Sequence, residues 1–195
     1  MRHLFYTLII FIVFQNQQAN AFNFDYRKQF FAIGASHGGE KLAETANKKL
    51  TTGGGLAVHY GINMTGSQSI HYQLALGYKW DSLSTSNGSA TFSDLSTSFI
   101  MLKKIRKNRF GGGLALHPAT KYESKFQGNS FTSDMPAAIG LIAQFDIITK
   151  HKSTLSFQYE LLEYKPDNLI KSSTGQKIET LDASNIAFVF RYHFQ

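Results

Sequence analysis

The chain has 195 residues, no cysteine, and a formal net charge of +7 from 20 Lys and Arg against 13 Asp and Glu. That length suits a single domain, and without cysteine there is no disulfide framework and no thiolate chemistry. A basic excess suits either nucleic acid or an anionic membrane surface, and the patterning described next argues against the first.

Met1 to Ala21 reads as a secretory signal peptide: Arg2 supplies the positive start, Leu4 to Phe14 the apolar run, and Ala19-Asn20-Ala21 a small-x-small cleavage site. The run ends at Gln15-Asn16-Gln17-Gln18, well short of the roughly 20 apolar residues of a spanning helix. Cleavage leaves 22–195 as one domain, with a charge of +6 because Arg2 is the only charge lost. No later stretch is long and apolar enough for a spanning helix, so membrane embedding has to come from strands.

From Gln29, Phe31, Ile33 and Ala35 point one way and Phe30, Ala32, Gly34 and Ser36 the other, which predicts a first strand ending near His37. Gly38 to Thr52 is a polar loop. Leu56, Val58, Tyr60 and Ile62 form strand two, and Thr65-Gly66-Ser67 is a tight turn. Strand three, Ile70 to Trp80, alternates strictly: Ile70, Tyr72, Leu74, Leu76, Tyr78 and Trp80 against His71, Gln73, Ala75, Gly77 and Lys79. A loop from Ser82 to Ala90 leads to strand four, Thr91 to Leu102, and the basic turn Lys103 to Asn108. Strand five runs from Arg109 to Pro118, with a third loop from Ala119 to Ser133. Strand six, about Met135 to Ile147, turns at Thr149 to Lys152 into strand seven, Ser153 to Tyr164. Lys165 to Asp182 is the last loop, and Asn185 to Phe194 the last strand.

Eight strands of about ten residues, joined alternately by long and short connections, predict an all-β, antiparallel, up-and-down transmembrane β-barrel. Alternation alone does not separate it from a soluble barrel, which also has one apolar face. The other face decides: it is rich in Gly and Ala (Gly34, Ala57, Gly61, Ala75, Gly77, Gly111, Gly113, Ala115, Ala138, Gly140, Ala187), which suits a narrow lumen rather than a watered surface. Aromatic residues near strand ends (Phe31, Tyr60, Tyr72, Tyr78, Trp80, Phe92, Phe110, Phe145, Tyr159, Tyr192, Phe194) read as interfacial girdles on the apolar face.

Several segments carry a family resemblance: Gly38-Gly39-Glu40-Lys41-Leu42, Leu76-Gly77-Tyr78-Lys79-Trp80-Asp81-Ser82, Asn87-Gly88-Ser89-Ala90-Thr91-Phe92, Arg109-Phe110-Gly111-Gly112-Gly113-Leu114 and Arg191-Tyr192-His193-Phe194. The chain resembles the small eight-stranded outer-membrane proteins of Gram-negative bacteria, the OmpA-like and opacity-like barrel group, and within it an uncharacterised family of short barrels. The resemblance spans nearly all of 22–195 and implies a fold and a cell outer membrane location, with no established activity. It also implies an encounter with the outer-membrane assembly machinery through the C-terminal strand. Such chains usually end on an aromatic residue, whereas here Gln195 follows Phe194.

The chemistry-bearing residues are sparse. Lipid A deacylases of this architecture use a His-x-Ser pair with a carboxylate, and the expectation here is of no such pair, since His37, His71 and His117 are each followed by other residues; His117 with Ser96 or Ser98 is the remaining spatial arrangement. His59 and His71 share the inward phase of a hairpin, and a symmetric register about Thr65 sets them opposite each other, without the further ligands of a metal site. Lys79, Asp81, Asp94, Asp146, Glu160 and Arg191 point inward and must pair or stay hydrated, with Glu160 and Arg191 in one network. The glycine runs 53–55 and 111–113 lack the Lys-Ser/Thr of a phosphate loop and read as places of tight curvature. The basic turns Lys103 to Arg109 and Lys150 to Lys152 read as solvated or near anionic phospholipid. Lys41, Lys48, Lys49, Lys121 and Lys125, in the external loops, are the candidate contacts to lipopolysaccharide or another surface ligand.

The expectation is a monomeric, non-enzymatic structural or surface-interaction barrel with a filled lumen, no cofactor, no metal and no nucleic-acid partner. A lipid A-modifying enzyme and a small channel are the alternatives.

Overall fold

A computed structural model describes residues 28–45, 48–66, 69–149, 152–166 and 178–194. The expected signal peptide, the start of the mature chain and Gln195 lie outside the described residues. The strands, in chain order, are β1 (Lys28–Gly38), β2 (Lys41–Glu44), β3 (Lys49–Thr51), β4 (Gly55–Thr65), β5 (Ile70–Thr85), β6 (Gly88–Ile105), β7 (Asn108–Phe126), β8 (Asn129–Met135), β9 (Ala138–Ile148), β10 (Ser153–Leu161), β11 (Glu163–Tyr164), β12 (Leu181–Asp182) and β13 (Asn185–Phe194).

Eight of them close a wall. β1 pairs with β4, β4 with β5, β5 with β6, β6 with β7, β7 with β9, β9 with β10, β10 with β13, and β13 back to β1, every pair antiparallel. This is the expected up-and-down barrel, and closure leaves the wall no free edge. Its outer face is apolar: Ile33, Leu76, Leu114, Phe157 and Ile186 are about half exposed or more, while Phe30, Ala75, Ala115, Gln144 and Arg191 on the alternate positions are buried. A belt of large apolar side chains turned outward on every strand is stable only against hydrocarbon. Ring pairs run around it, among them Phe157 and Phe188 at 5.1 Å and Tyr78 and Trp80 at 5.9 Å.

The inner glycines make room for neighbours. A Cβ on Gly77 would lie 2.6 Å from Nδ1 of His59 and 2.8 Å from Oγ of Ser96, closer than packed atoms approach. The run 111–113 has a similar reason: a Cβ at Gly111 or Gly113 would meet a carbonyl oxygen of β6 at 1.9 Å.

The long connections differ most from expectation. Ser82 to Ala90 is no loop: β5 and β6 continue past the belt and turn tightly at Ser86-Asn87, pairing through to Thr85 and Gly88. Ala119 to Ser133 is likewise a hairpin, β7 into β8, turning at Gln127 and Gly128 with φ of 50° and 83°. β2 and β3 form a small hairpin within Gly38 to Thr52, and β11 pairs with β12 across the last connection. Strand six breaks at Pro136-Ala137 instead of running from Met135.

A β-bulge between β6 and β7 explains how the wall continues outward. Leu95 pairs with Ala119 but Thr97 with Leu116, so β7 carries one extra residue at His117-Pro118. An extra residue moves every later side chain to the other face. Below the bulge Arg109, Ala115 and His117 face inward; above it Thr120 and Tyr122 do.

The tall wall and the small hairpins enclose a second core. Leu50, Leu83, Phe92, Tyr122, Met135, Leu162, Tyr164 and Leu181 are buried together, with Leu42, Ala43 and Ile178 against them. Phe92 is therefore a core residue of this outer lobe and not part of a lipid-facing girdle: its even-numbered position shares the inward phase of Ala90 and Asp94. At about 1.5–3 kcal/mol for each large side chain withdrawn from water, this cluster is enough to hold the connections in one arrangement.

Candidate functional site

The lumen holds two polar clusters. In the half nearer the short turns, Asp146 of β9 is fully buried between two arginines. Arg191 Nη1 lies 3.0 Å from its Oδ1, and Arg109 Nη2 lies 2.9 Å from its Oδ2. Oδ1 also accepts from Gln144 Nε2 at 2.8 Å and Ser156 Oγ at 2.5 Å, and Arg191 bonds Ser156 as well. Gln73, Gln144 and Gln158 extend the chain of bonds across the barrel, and Arg191 also stacks over Phe30 with 5.7 Å to the ring centroid. Arg109 was expected in a solvated turn; its phase turns it into the lumen, where the carboxylate meets the cost of burying its charge.

At the outer boundary His117 bridges two carboxylates. Its Nδ1 is 2.8 Å from Asp94 Oδ2 and its Nε2 2.9 Å from Glu160 Oε1. An imidazole satisfies two acceptors only by donating from both nitrogens. Thr120 donates to Asp94 at 2.8 Å and its Oγ1 lies 3.1 Å from the Tyr164 hydroxyl, Asn185 donates to Glu160 at 3.1 Å, and Lys79 stands 3.9 Å from Asp94. The bonds join five wall strands to β11 at the base of the lobe. Among the described residues no group of three or more His, Asp or Glu side chains is placed to hold a metal.

Between the clusters lies a cavity of about 50 Å³ lined by His59, Gln73, Ser96, Ser98, Glu160 and Arg191, among others. Its size and polar lining suit a few ordered waters. Glu160 and Arg191 both face it, but each has its own partner: Arg191 pairs with Asp146, Glu160 with His117.

Other expected sites are rearranged. His59 pairs with Gly77 and His71 with Thr65, so the two histidines lie six positions apart along the hairpin instead of opposite each other. The pairing is centred three residues beyond Thr65, and a shift of three in the centre displaces partners by six. His71 Nδ1 is 3.5 Å from Thr65 Oγ1, too long to count for much. Asp81 belongs to the lobe, where Lys48 Nζ sits 3.0 Å from it and also bonds the Ser82 carbonyl. A His-x-Ser spacing does occur at His151-Lys152-Ser153, contrary to expectation; Ser153 opens β10 at the short-turn end, and His151 lies outside the described residues. With both nitrogens committed, His117 has none to offer Ser96 or Ser98.

The outer lysines are mostly paired. Lys41 and Lys49 lie 2.5 and 3.4 Å from Glu44, and Lys121 lies 2.5 Å from Glu123. Hydrogen bonds from Lys41 and Lys121 hold the Glu44 and Glu123 carboxyls below their usual range. Lys125, near the β7–β8 tip, is exposed, and Phe126 and Phe131 are exposed beside that turn.

No protein-family model matches the chain, and no curated protein matches its sequence. Solved structures do. The attachment invasion locus protein Ail of Yersinia pestis, crystallised with the heparin analogue sucrose octasulfate, aligns with a TM-score of 0.58 at 10% identity, covering 86% of this chain and 97% of Ail. A second Ail structure gives 0.56 at 12% identity, covering 86% and 99%. Neisserial surface protein A gives 0.54 at 10% identity, covering 85% and 97%. The fold is that of the small eight-stranded outer-membrane β-barrels. The apolar belt, the filled lumen and the alternation of short turns with tall connections are the features that this fold requires of its sequence.

Proposed function

We propose that the protein is a monomeric, non-enzymatic surface-interaction barrel of the outer membrane, with the outer lobe as its working part. The observation that carries this reading is the second core. A barrel needing only to seal its end could use short loops, whereas here β5 to β8 rise beyond the belt and pack with β2, β3, β11 and β12 around buried Phe92 and Tyr164. A rigid platform loses less entropy on binding than free loops do. Lys121 and Lys125 on its outer face, with Lys41, Lys48 and Lys49 on the β2–β3 hairpin, are the proposed contacts to lipopolysaccharide phosphates or a similar anionic glycan. The polysulfated sugar held by the Yersinia structure supports that ligand class. β13, the closing strand, is the proposed point of contact with the assembly machinery.

The test is binding of the detergent-purified barrel to immobilised lipopolysaccharide, comparing wild type with K121Q/K125Q and K41Q/K48Q/K49Q. Weaker retention with a shallower dependence on salt is expected in either variant; retention identical to wild type in both would remove these lysines from the reading. Lipid A of unchanged mass on expression is also expected, since His117 is committed to two carboxylates.

A further inference from the structure

The charge on this molecule is concentrated at the end away from the lobe. Lys28, Lys103, Lys104, Arg106, Lys107 and Lys152 are all exposed around the short turns. Among the described residues the only carboxylate in that half is Asp146, which is buried and already held by Arg109 and Arg191. At the lobe, by contrast, cations and carboxylates are intermixed, and Lys41, Lys48, Lys49 and Lys121 each have a carboxylate within 3.4 Å. Among the described residues, the net basic charge is thus expressed at one rim.

That rim sits directly below the apolar belt. Lys103 pairs with Ile70 on one side and Phe110 on the other, and Phe110 and Ile105 are about half exposed on the outer face. The β6–β7 turn therefore places Lys103, Arg106 and Lys107 around an outward isoleucine, with Lys104 exposed at the same rim on the phase of Arg109. It is fixed in position: Lys104 N donates to the Ser69 carbonyl at 2.8 Å, and Ile148 N donates to the Lys107 carbonyl at 3.0 Å. Cations presented just past a hydrocarbon boundary stand at the depth of lipid phosphates. A soluble anion would have no use for Ile105 or Phe110, whereas a diacyl lipid meets both the charge and the apolar surface.

We infer that the short-turn rim, centred on Lys103, Lys104, Arg106 and Lys107, binds anionic phospholipid headgroups of the periplasmic leaflet. The inference rests on the membrane placement proposed above and is independent of what the lobe binds. Such a lipid collar would also fix how deeply the barrel sits.

The experiment is native mass spectrometry of the detergent-purified mature barrel titrated with phosphatidylglycerol or phosphatidylcholine of matched acyl chains. Phosphatidylglycerol should be retained in preference, by about fivefold for each cation engaged. K103Q/K104Q/K107Q should bring the two lipids to parity, while K103R/K104R/K107R and the lobe variant K121Q/K125Q keep the preference. Folding of every variant is checked by its gel mobility, and if the triple variant does not fold, K103Q and K107Q alone should each reduce the preference. Equal retention of the two lipids by wild type would overturn the inference, as would a preference untouched by the rim variants. Displacement of phosphatidylglycerol by inorganic phosphate would also overturn it, marking a site for soluble anions. A folded barrel that retains neither lipid would overturn the membrane placement as well.

Discussion

Arg191 reaches Asp146 past an entire strand: its Nη1 lies 3.0 Å from Oδ1, although the two residues stand on β13 and β9 with β10 between them. Such a contact ties three wall strands through the lumen. Replacing Arg191 with alanine leaves the carboxylate with Arg109 as its one cation, beside the Gln144 and Ser156 donors, and breaking a buried pair in this way costs about 3–5 kcal/mol. R191A should therefore unfold at much lower urea than wild type, and R109M/D146L/R191M, which removes all three buried charges, should lose far less. Equal losses in the two variants would mean that the pair does not carry the effect.

Gly77 and His59 make a second coupled pair. Because a Cβ at position 77 meets mainly the imidazole, G77A should cost about 1–3 kcal/mol through overpacking. In an H59A background, where the imidazole has gone and only the rotatable Ser96 hydroxyl stands in the way, the same substitution should cost clearly less. Urea unfolding of the four proteins measures the coupling, and strict additivity would sink the steric argument.

Phe92 lies in the lobe core, away from the belt. F92A should cost about 3–5 kcal/mol locally, opening the lobe to protease while the barrel keeps the fast gel mobility of its folded form. Cleavage is expected in 38–52 or 119–135. Loss of the folded band together with the lobe would show that the two cores unfold as one unit.

The crowded lumen should not conduct. Asp146, its two arginines and the three glutamines cross the barrel, and the cavity above them is only about 50 Å³. Reconstituted into a planar bilayer, verified folded barrel should be silent. Reproducible unit steps would require a water path and would replace the filled-lumen reading with a channel.

The barrel was legible because a period of two survives in every wall strand and because the inner face is small, not hydrophilic. The lobe was not. A bulge such as that at His117-Pro118 leaves the alternation intact on each side and only changes its phase, so polar segments such as Ala119 to Ser133 read as loops. Phe92 was misplaced by residue type, although its position in the alternation pointed inward. Arg109 reads as solvated because it follows a basic turn, while its phase, shared with Gly111 and Gly113, points into the lumen. His117 could be placed in the lumen from sequence, but its partners lie 23 and 43 positions away, and only the closed register brings them together.

Trp80 is the only tryptophan in the chain, and it stands at the outer edge of the belt, stacked on Tyr78. For a barrel that enters the membrane from the side of its short turns, this indole must traverse the full hydrocarbon thickness before the wall closes. The chain therefore carries its own unlabelled optical clock. The time at which Trp80 emission settles marks the arrival of the β5 hairpin on the far side, and comparing it with the appearance of the folded gel band would date lobe packing against barrel closure.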